Sequence, residues 1–424
     1  MKITILTYGS RGDVQPFVAL AVGLQQRGHE VKLAAPHRFA DLADSYNVPF
    51  VPLPGDPEVI SRSINDAGMN AMRVISSVRE YVYDIAPQVS RSAFQACEGA
   101  DLLVHSFLFT VGAHSWAREH NIPDVSVQGF PIFAPTHAFP SVIMPHLSPG
   151  WFSYLSHWIL TQAFWYGGNM GYASARRANP DVSYPRKLYW PFDDDPLRTP
   201  SPLLFAWSPS ILPPPDNWDA NIHVTGCLFL NAGPSFAPSV ELQTFLDAGA
   251  PPVCISFGSM IHRDAERVDH IIREALAKTR QRGVVLSGWS KVEHRTSDHI
   301  YYCDAVPHDW LLPLCRMVIH HGGAGTTAAG LRAGIPTIVV PFTADQPFWG
   351  KRIHALGAGP KPIYVKDLSV DKLVRAIAEA ENESIRKRAQ TLGQKIRSED
   401  GVKSAVSLIE SHVSTFNPIE FFKV

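Results

Sequence analysis

The chain opens with an apolar strand, a glycine-rich turn and a helix, and this order constrains its fold more than any other feature. Residues 2–8 are apolar and β-branched, and glycines at 9 and 12 break the run. A helix is predicted next, because apolar residues recur at the spacing of one buried helical face: Phe17, Leu20, Ala21 and Leu24. Gly28 ends it before a strand predicted over 31–35. Strand, helix and strand in this order predict a parallel sheet covered by helices.

The second half of the chain repeats this pattern. The apolar run 253–257 leads into S256-F257-G258-S259, which matches T7-Y8-G9-S10 after the first strand. Further strands are predicted over 50–53, 102–105, 125–128, 284–286, 317–320 and 337–340, and further helices over 40–46, 265–282, 324–333 and 402–413. The predicted fold class is α/β, with two Rossmann-like doubly wound domains that face each other across a cleft.

The length and the distribution of glycine and proline predict where the domains divide. A chain of 424 residues suits two domains of this kind. The first is predicted over 1–226 and the second over 252–400. Residues 227–251 are rich in glycine and proline and are predicted to link them. A helical tail over 401–424 is predicted to pack back on the first domain.

Composition argues against several classes of partner. Lys plus Arg number 38 against 39 Asp plus Glu, so a net charge of -1 offers no attraction for nucleic acid. No run of about 18 apolar residues exists that would predict a membrane span. The 5 cysteines form no C-x-x-C pair, which argues against a zinc site and favours a reducing, cytoplasmic location. Peripheral contact with a membrane surface stays open, because residues 151–192 include 12 aromatics.

A glycine-rich turn at 320–330, H-H-G-G-A-G-T-T-A-A-G, lies between a predicted strand and a predicted helix. Glycines let a ligand approach closely, and the free N–H groups at a helix start attract phosphate, so the turn predicts a pyrophosphate site. A tight packing turn without a ligand is the alternative. The spacing of Gly323, Gly325 and Ala328, with Asp345 further on, also meets the dinucleotide fingerprint. An NAD-dependent dehydrogenase therefore stays open.

Two adjacent histidines, His320 and His321, begin this turn. On a strand their side chains point to opposite faces, so the two do not clamp one metal ion together. One is predicted to face the ligand and the other the core. No cluster with metal-ligand spacing appears elsewhere in the sequence, so no metal site is predicted.

Three groups of acidic and amide side chains are candidates for chemistry at the sheet edges or for solvated loops. Asp13 lies after strand one, at the sheet edge where open α/β sheets bind ligands, and it suits a general base. Capping of the helix that Pro16 opens is the alternative. Asp345 and Gln346 suit several sugar hydroxyls, although Asp345 also suits a helix cap. The D-D-D run at 193–195 lies between prolines and is predicted to be a solvated loop.

Taken together, these motifs resemble those of the inverting, nucleotide-sugar-dependent glycosyltransferases of the GT-B fold. G-S-R-G-D-V-Q-P at 9–16 is similar to the opening of sterol glucosyltransferases and of bacterial glycopeptide and macrolide glycosyltransferases. V-P-H-D-W at 306–310, the turn at 320–331 and D-Q-P-F-W-G at 345–350 are closest to the sterol branch. Residues 343–344 are Thr-Ala, where that branch often has Phe-Gly. The resemblance covers nearly the whole chain.

The resemblance implies that the second domain binds a nucleotide sugar and the first binds an acceptor. It implies that Asp13 is the catalytic base and that no metal or other cofactor is needed. The donor-binding residues that it implies are Val306 and His308 beside the nucleobase, His321, Gly323, Gly325 and Thr326 at the pyrophosphate, Asp345 and Gln346 at the sugar, and Ser259 near the phosphate.

The function predicted is transfer of a hexose, most simply glucose, from a UDP-sugar to a hydroxyl of an apolar acceptor such as a sterol, a triterpenoid or another lipid-like molecule. The aromatic content of residues 129–192 indicates only that the acceptor is apolar. Transfer to a polyketide or glycopeptide from a TDP- or UDP-sugar is the alternative. A nucleotide-sugar epimerase and a non-catalytic sugar-nucleotide or lipid-binding protein also stay open.

Overall fold

A computed structural model describes residues 1–59, 71–178, 200–233, 236–258, 265–286 and 296–416. Two predictions lie outside these residues, the phosphate contact of Ser259 and the loop at 193–195. In the part of the chain that the structure describes, no helix is long and apolar enough to cross a membrane.

The first sheet has seven parallel strands in the order β3-β2-β1-β4-β5-β6-β7. Its elements follow the chain as β1 Lys2–Leu6, α1 Arg11–Gln26, β2 Glu30–Pro36, α2 Ala40–Asp44, β3 Phe50–Leu53, α3 Ala71–Cys97, β4 Leu102–His105, α4 Thr110–Glu119, β5 Asp124–Gln128, α5 Trp151–Ala178, β6 Leu203–Phe205 and β7 Ile222–Val224. The inner strands are buried on both faces; β4 and β6 are almost entirely apolar, whereas β5 buries Asp124, Ser126 and Gln128.

The second sheet has five parallel strands in the order β10-β9-β8-β11-β12. Its elements are α6 Val240–Asp247, β8 Val253–Ser256, α7 Ala265–Thr279, β9 Gly283–Leu286, β10 Ile300–Cys303, α8 His308–Leu311, β11 Met317–His320, α9 Ala324–Ala333, β12 Thr337–Val339, α10 Gln346–Ala355, α11 Val370–Ala380, α12 Glu383–Arg397 and α13 Gly401–Thr415. The predicted fold class, two doubly wound α/β domains, is confirmed.

Both sheets reverse their strand order beside their first strand. β1 pairs with β2 on one side and β4 on the other, and β8 pairs with β9 and β11. A crevice opens beyond the carboxyl ends of the strands at such a reversal, and ligands of open α/β sheets bind there. The turns that hold Asp13 and His321 follow β1 and β11, so both lie at these crevices.

Several predicted elements need correction. Helix α1 begins at Arg11, five positions before Pro16, because Ser10 is its N-cap and Pro16 lies inside it. The helix predicted to reach 282 ends at Thr279, where Arg280 takes a positive φ of 52°. Residues 227–251, predicted as a linker, contain α6, which packs Leu242 and Phe245 into the core of the second sheet. The domain boundaries themselves stay predictions.

The last described helix, α13, packs on α1 of the first sheet. Its residues Ala405, Val406 and Ile409 belong to the same buried cluster as the apolar residues of β1 and α1. Arg27 of α1 forms an ion pair with Glu410 of α13, 2.7 Å between Nη2 and Oε2. The chain therefore returns from the second sheet to the first.

The two halves of the molecule also meet directly through aromatic side chains. Trp207 and Trp349 approach edge to face, with ring centroids 6.2 Å apart, and so do Phe139 and Phe348 at 6.2 Å. Lys351 adds a hydrogen bond from Nζ to the carbonyl oxygen of Pro145, 3.0 Å long. These contacts place α10, the helix that follows Asp345, against the first domain.

Candidate active site

Residues from both domains gather where the carboxyl ends of β1, β8, β11 and β12 face one another. Two electrostatic interactions cross this cleft. The negative charge of Asp13 contributes to the raised pKa of Asp345, and the positive charge of Arg11 contributes to the lowered pKa of His308. The structure therefore brings the predicted base and the predicted donor residues into one site.

Asp13 lies at the third position of α1, where its carboxylate turns back on the helix start. Its Oδ2 accepts hydrogen bonds from the backbone N of Ser10 at 2.7 Å and from Ser10 Oγ at 2.9 Å. A Cβ at residue 9 would approach this oxygen to 2.3 Å, so only glycine fits there. Both bonds from the described residues end on Oδ2, which leaves Oδ1 for a ligand. The capping role is therefore real, although Ser10 and not Asp13 is the N-cap.

The environment of Asp13 makes its carboxylate a stronger base. Burial raises the pKa of Asp13 above its usual value, and the two hydrogen bonds from Ser10 oppose this rise. Thr7 fixes the same turn, since its Oγ1 donates to the carbonyl oxygen of Asp13 at 2.8 Å. A carboxylate held in this way is suited to accept a proton from a hydroxyl.

Asp345 lies at the N-cap position of α10, but its side chain does not cap the helix. Instead, its Oδ2 accepts a hydrogen bond from Trp349 Nε1 at 2.8 Å. Burial is the main cause that raises the pKa of Asp345 to about 6, and the hydrogen bond from Trp349 opposes it. Asp345 therefore is the N-cap residue by position, but its carboxylate bonds Trp349 and not the free N–H groups of the helix start. Trp349 is a residue that the sequence analysis missed.

Gln346 is buried beside Asp345, and its amide holds the loop that precedes α10. Its Oε1 accepts hydrogen bonds from the backbone N of Phe342 at 2.8 Å and of Thr343 at 3.1 Å. Ala344, which follows Thr343 in this loop, takes a positive φ of 55°. This conformation costs free energy in any residue other than glycine.

His320 and His321 point in different directions, as predicted. His320 is fully buried, and its Nδ1 accepts a hydrogen bond from the backbone N of Gly322 at 3.0 Å. The ring of His321 packs against Gly258 and Gly323, and its Nδ1 lies 3.5 Å from the carbonyl oxygen of Ser256. Burial lowers the pKa of His321 to about 4, so its imidazole is neutral near pH 7.

The helix start after His321 is open to a ligand. Gly323 is the N-cap of α9 and has no side chain to cap the first N–H groups, which include those of Gly325 and Thr326. A Cβ at residue 325 would meet no atom of the described residues within 4 Å, so no packing contact among them explains that glycine. Free N–H groups at the positive end of a helix suit a phosphate.

His308 and Val306 lie at the start of α8, on the rim of the same cleft. His308 Nε2 is 3.4 Å from Ser256 Oγ, and burial lowers the pKa of His308 to about 4. Facing it from the first domain is Arg11, whose Nε donates to Gln15 Oε1 at 2.9 Å. A positive charge at a helix N-terminus is unfavourable, so Arg11 does not stabilise α1 at this position. It is a further cleft residue that the sequence analysis left without a role.

Aromatic rings wall the first-domain side of the cleft. Phe107 and Phe130 follow the carboxyl ends of β4 and β5, and their centroids are 5.3 Å apart. Phe164 of α5 packs edge-on against Phe107 at 5.5 Å. Because β4 is the neighbour of β1, this apolar wall lies on the Asp13 side of the site.

The described residues therefore form a site with two distinct halves. One half offers the half-buried carboxylate of Asp13, with aromatic rings that follow the strands β4 and β5 of the same sheet. The other half offers an open helix start, neutral imidazoles and a second carboxylate. Within the described ranges, no group of three or more His, Cys, Asp or Glu is arranged to hold a metal ion. Such a site can bind a phosphate-bearing ligand on one side and remove a proton on the other.

Comparison with known proteins agrees with this geometry. The model of the glycosyltransferase family 28 N-terminal domain matches residues 3–114, and that of the erythromycin biosynthesis protein CIII-like C-terminal domain matches residues 288–407. A solved structure, the glycosyltransferase of kitacinnamycin, aligns with a TM-score of 0.70 at 20% identity, over 97% of this chain and 99% of that one.

Two relatives extend along nearly the whole chain. A sterol 3-beta-glucosyltransferase of Arabidopsis thaliana is 33% identical over 97% of this chain, which spans 66% of that protein. The O-mycaminosyltylonolide 6-deoxyallosyltransferase of Streptomyces fradiae is 34% identical, over 98% of each chain. The chain therefore belongs to the glycosyltransferase family that contains sterol 3-beta-glucosyltransferases and macrolide glycosyltransferases, and it has the GT-B fold.

Proposed function

We propose that the protein transfers glucose from UDP-glucose to a hydroxyl of an apolar, lipid-like acceptor, with inversion at the anomeric carbon. The observation that carries this proposal is the open start of α9 next to Asp345, whose helix α10 packs on the domain that holds Asp13. One carboxylate lies at an apolar wall, where an acceptor would bind, and the other lies beside the helix start, where a nucleotide sugar would bind.

In the proposed reaction, Asp13 acts through its Oδ1. The carboxylate takes the proton of the acceptor hydroxyl while the hydroxyl oxygen attacks the anomeric carbon and the bond to the diphosphate breaks. An unperturbed Asp carboxylate is a weak base for an alcohol, so burial of Asp13 and concerted proton transfer both favour this step. Attack opposite to the leaving group converts an α-linked donor into a β-glycoside without a covalent intermediate.

The diphosphate gains negative charge as it leaves, and the second domain supplies the groups that stabilise it. The N–H groups of Gly325 and Thr326 lie at the positive end of α9, and His321 lies beside them. Arg11 would add a positive charge from the first domain. These groups provide charge stabilisation without a metal ion, and we propose that none is required.

The proposed donor sugar binds between Asp345 and Gln346. Trp349 orients the Asp345 carboxylate, and two backbone N–H groups fix the Gln346 amide, so both side chains are held in place before the sugar arrives. Fixed hydrogen-bonding groups lower the entropic cost of binding a polyhydroxylated ligand. A role in sugar recognition also explains why the carboxylate does not cap α10.

A second candidate is transfer of a TDP-sugar to a polyketide. It is favoured by the relative of Streptomyces fradiae, which matches this chain over 98% of its own length. The two candidates share the catalytic step and differ in nucleobase and acceptor.

The test has two stages. First, thermal unfolding is measured with UDP, TDP, GDP, NAD, UDP-glucose and TDP-glucose, because a ligand of the native state raises the unfolding temperature. Second, the stabilising sugar nucleotide is offered with sterol, triterpenoid and macrolide acceptors, with and without EDTA, and the product linkage is determined by NMR. A β-glucoside formed from UDP-glucose in EDTA supports the proposal. Stabilisation by TDP alone selects the second candidate, and an α-linked product overturns the mechanism.

A further inference from the structure

Helix α5 has its apolar and polar sides reversed relative to a helix packed on a protein in water. Its outward side consists of large apolar residues that we call the aromatic face: Trp151, Phe152, Tyr154, Trp158, Ile159 and Phe164. Trp151 is 64% exposed and Phe152 is 68% exposed. The side that packs on the protein carries Ser153, Ser156, His157 and Thr161, each at most 1% exposed, with Leu160 as the one large apolar residue buried among them. Surface helices normally show the opposite arrangement.

The reversed orientation is fixed by specific hydrogen bonds. Ser153 Oγ donates to the carbonyl oxygen of Ser148 at 2.8 Å, and Ser156 Oγ accepts from the backbone N of Ser141 at 2.9 Å. His157 Nε2 lies 2.9 Å from the carbonyl oxygen of Phe139. Rotation of the helix to bury its rings would break all three contacts and leave buried polar groups without partners. The outward aromatic face is therefore a stable feature of the fold.

The segment around the aromatic face also lacks charge. No Asp, Glu, Lys or Arg occurs from residue 125 to residue 175, a stretch of 51 residues. Charged residues make up 18% of the whole chain, so such a stretch is depleted of the groups that normally keep an exposed surface hydrated. Two further large apolar residues of the same domain, Leu108 and Ile143, are 40% and 44% exposed. A contiguous apolar patch marks a site of interaction.

We propose that the aromatic face docks on a phospholipid bilayer, with its rings at the boundary between headgroups and acyl chains. Trp and Tyr favour this depth, because a ring with one polar atom fits both environments. A protein partner would be expected to meet a polar rim that fixes its orientation, and residues 125–175 offer no charged side chain for one, so charge near the face comes from the neighbouring helix α3, which includes Asp84 and Arg91. No described helix can span the bilayer, so α5 lies on the membrane surface.

The position of the face links docking to the site. Phe164 closes the aromatic face and packs on Phe107 of the acceptor wall. A docked enzyme would therefore open its acceptor side toward the membrane and take an apolar acceptor from the bilayer. This consequence rests on the proposed function, whereas docking itself does not.

The test is flotation of the full chain with phosphatidylcholine vesicles, with and without 20% phosphatidylserine, at low and high salt. The variant Trp151→Glu/Phe152→Glu/Trp158→Glu places charges on the face without touching the buried hydrogen bonds. The matched control is Val240→Glu, because Val240 is 78% exposed on α6 of the second domain. Thermal unfolding of each variant verifies its fold.

We expect wild type and Val240→Glu to float with both vesicle types, and the triple variant to lose at least about tenfold in partitioning. Salt should change wild-type partitioning less than twofold, since no charged residue of the segment takes part. Failure of wild type to float overturns the proposal. So does a wild-type dimer that the triple variant abolishes without vesicles, because the face would then join two copies. Turnover of a detergent-solubilised acceptor, measured separately, tests the proposed function whatever flotation shows.

Discussion

The two walls of the cleft hold their chemistry in different ways. On the donor side, each polar group has a partner that fixes it: Trp349 holds Asp345, backbone N–H groups hold Gln346, and Gly258 and Gly323 enclose His321. On the acceptor side, a single carboxylate stands beside aromatic rings that offer shape but few hydrogen bonds. The donor wall is thus built for one ligand with many polar groups, and the acceptor wall for an apolar molecule with one hydroxyl.

The difference predicts that mutations on the two walls will separate chemistry from donor binding. Asp13→Asn removes the proton acceptor while keeping the hydrogen bonds to Ser10, so kcat should fall by about 10² to 10⁴. Affinity for UDP should change less than about twofold, because Asp13 lies on the other wall. Steady-state kinetics and calorimetric titration with UDP measure the two effects.

Asp41→Asn is the matched control for this change. Asp41 also lies in the first turn of a helix, α2, and is exposed. It should leave kcat unchanged. If Asp13→Asn retained full turnover, Asp13 would be reduced to its role in the helix start.

On the donor wall, the strongest expected effect comes from Trp349→Phe. This change keeps a buried ring but removes the Nε1–H that stabilises the ionised Asp345. Wild-type Asp345 has a pKa of about 6, so kcat/KM for the sugar nucleotide should fall as the pH drops below 6 and the carboxylate is protonated. Loss of a hydrogen bond to a charged group should shift this fall upward by about one pH unit and lower kcat/KM near pH 6 by up to about tenfold.

Trp116→Phe controls for the loss of a buried indole elsewhere, because Trp116 is 7% exposed in the first domain. Its pH profile should match that of wild type. UDP affinity should be the same in all three proteins, since the nucleotide does not contact Asp345 in the proposed complex. An unshifted profile for Trp349→Phe would separate Asp345 from sugar recognition.

A smaller effect is expected from the imidazole at the phosphate position. His321 has a pKa of about 4 in the free protein, and a bound diphosphate would raise it by favouring the charged form. Binding should therefore take up protons, and UDP affinity should rise, relative to His321→Gln, which cannot be protonated, as the pH falls through the raised pKa of the complex toward about 4. Calorimetric titrations in buffers of different ionisation enthalpy count the protons directly. Equal pH slopes in the two proteins would contradict the assignment.

The sequence predicted the donor wall better than the acceptor wall, for a physical reason. The strand over 317–320 and the helix over 324–333 coincide with β11 and α9, because glycines and apolar runs mark both ends of each element. The long helices α3 and α5 were missed. Over residues 151–164 of α5, the buried side is mostly polar, with Leu160 as its buried leucine, so apolar spacing alone does not reveal which side faces the core.

Contacts between side chains close in sequence could be predicted, whereas contacts between side chains far apart in sequence could not. The partnership of Trp349 with Asp345 follows from helical spacing, since the two are four residues apart, and an i, i+4 reading of residues 345–349 would have found it. The approach of Arg11 to His308 joins two domains and has no local sequence signal. The motifs thus specify which groups form the donor site, while the tertiary fold determines which groups face them.

The smallest expected effect concerns the loop that presents the donor carboxylate. Ala344 has a positive φ of 55°, which costs a residue with a Cβ about 1 to 2 kcal/mol. Ala344→Gly should recover part of this cost, less the added entropy of glycine in the unfolded chain, and raise the free energy of unfolding by up to about 1 kcal/mol. Arg280→Gly is the matched control, with φ of 52° at the end of α7.

Both variants should be stabilised in chemical denaturation, but only Ala344→Gly tests the donor wall. Gln346 accepts hydrogen bonds from the backbone of Phe342 and Thr343, before Ala344, and Trp349 bonds Asp345, after it, so the loop is held independently of its most strained residue. The KM for the sugar nucleotide should therefore change less than about twofold. A larger rise in KM would mean that strain at Ala344, and not the hydrogen bonds around it, aims the carboxylate into the cleft.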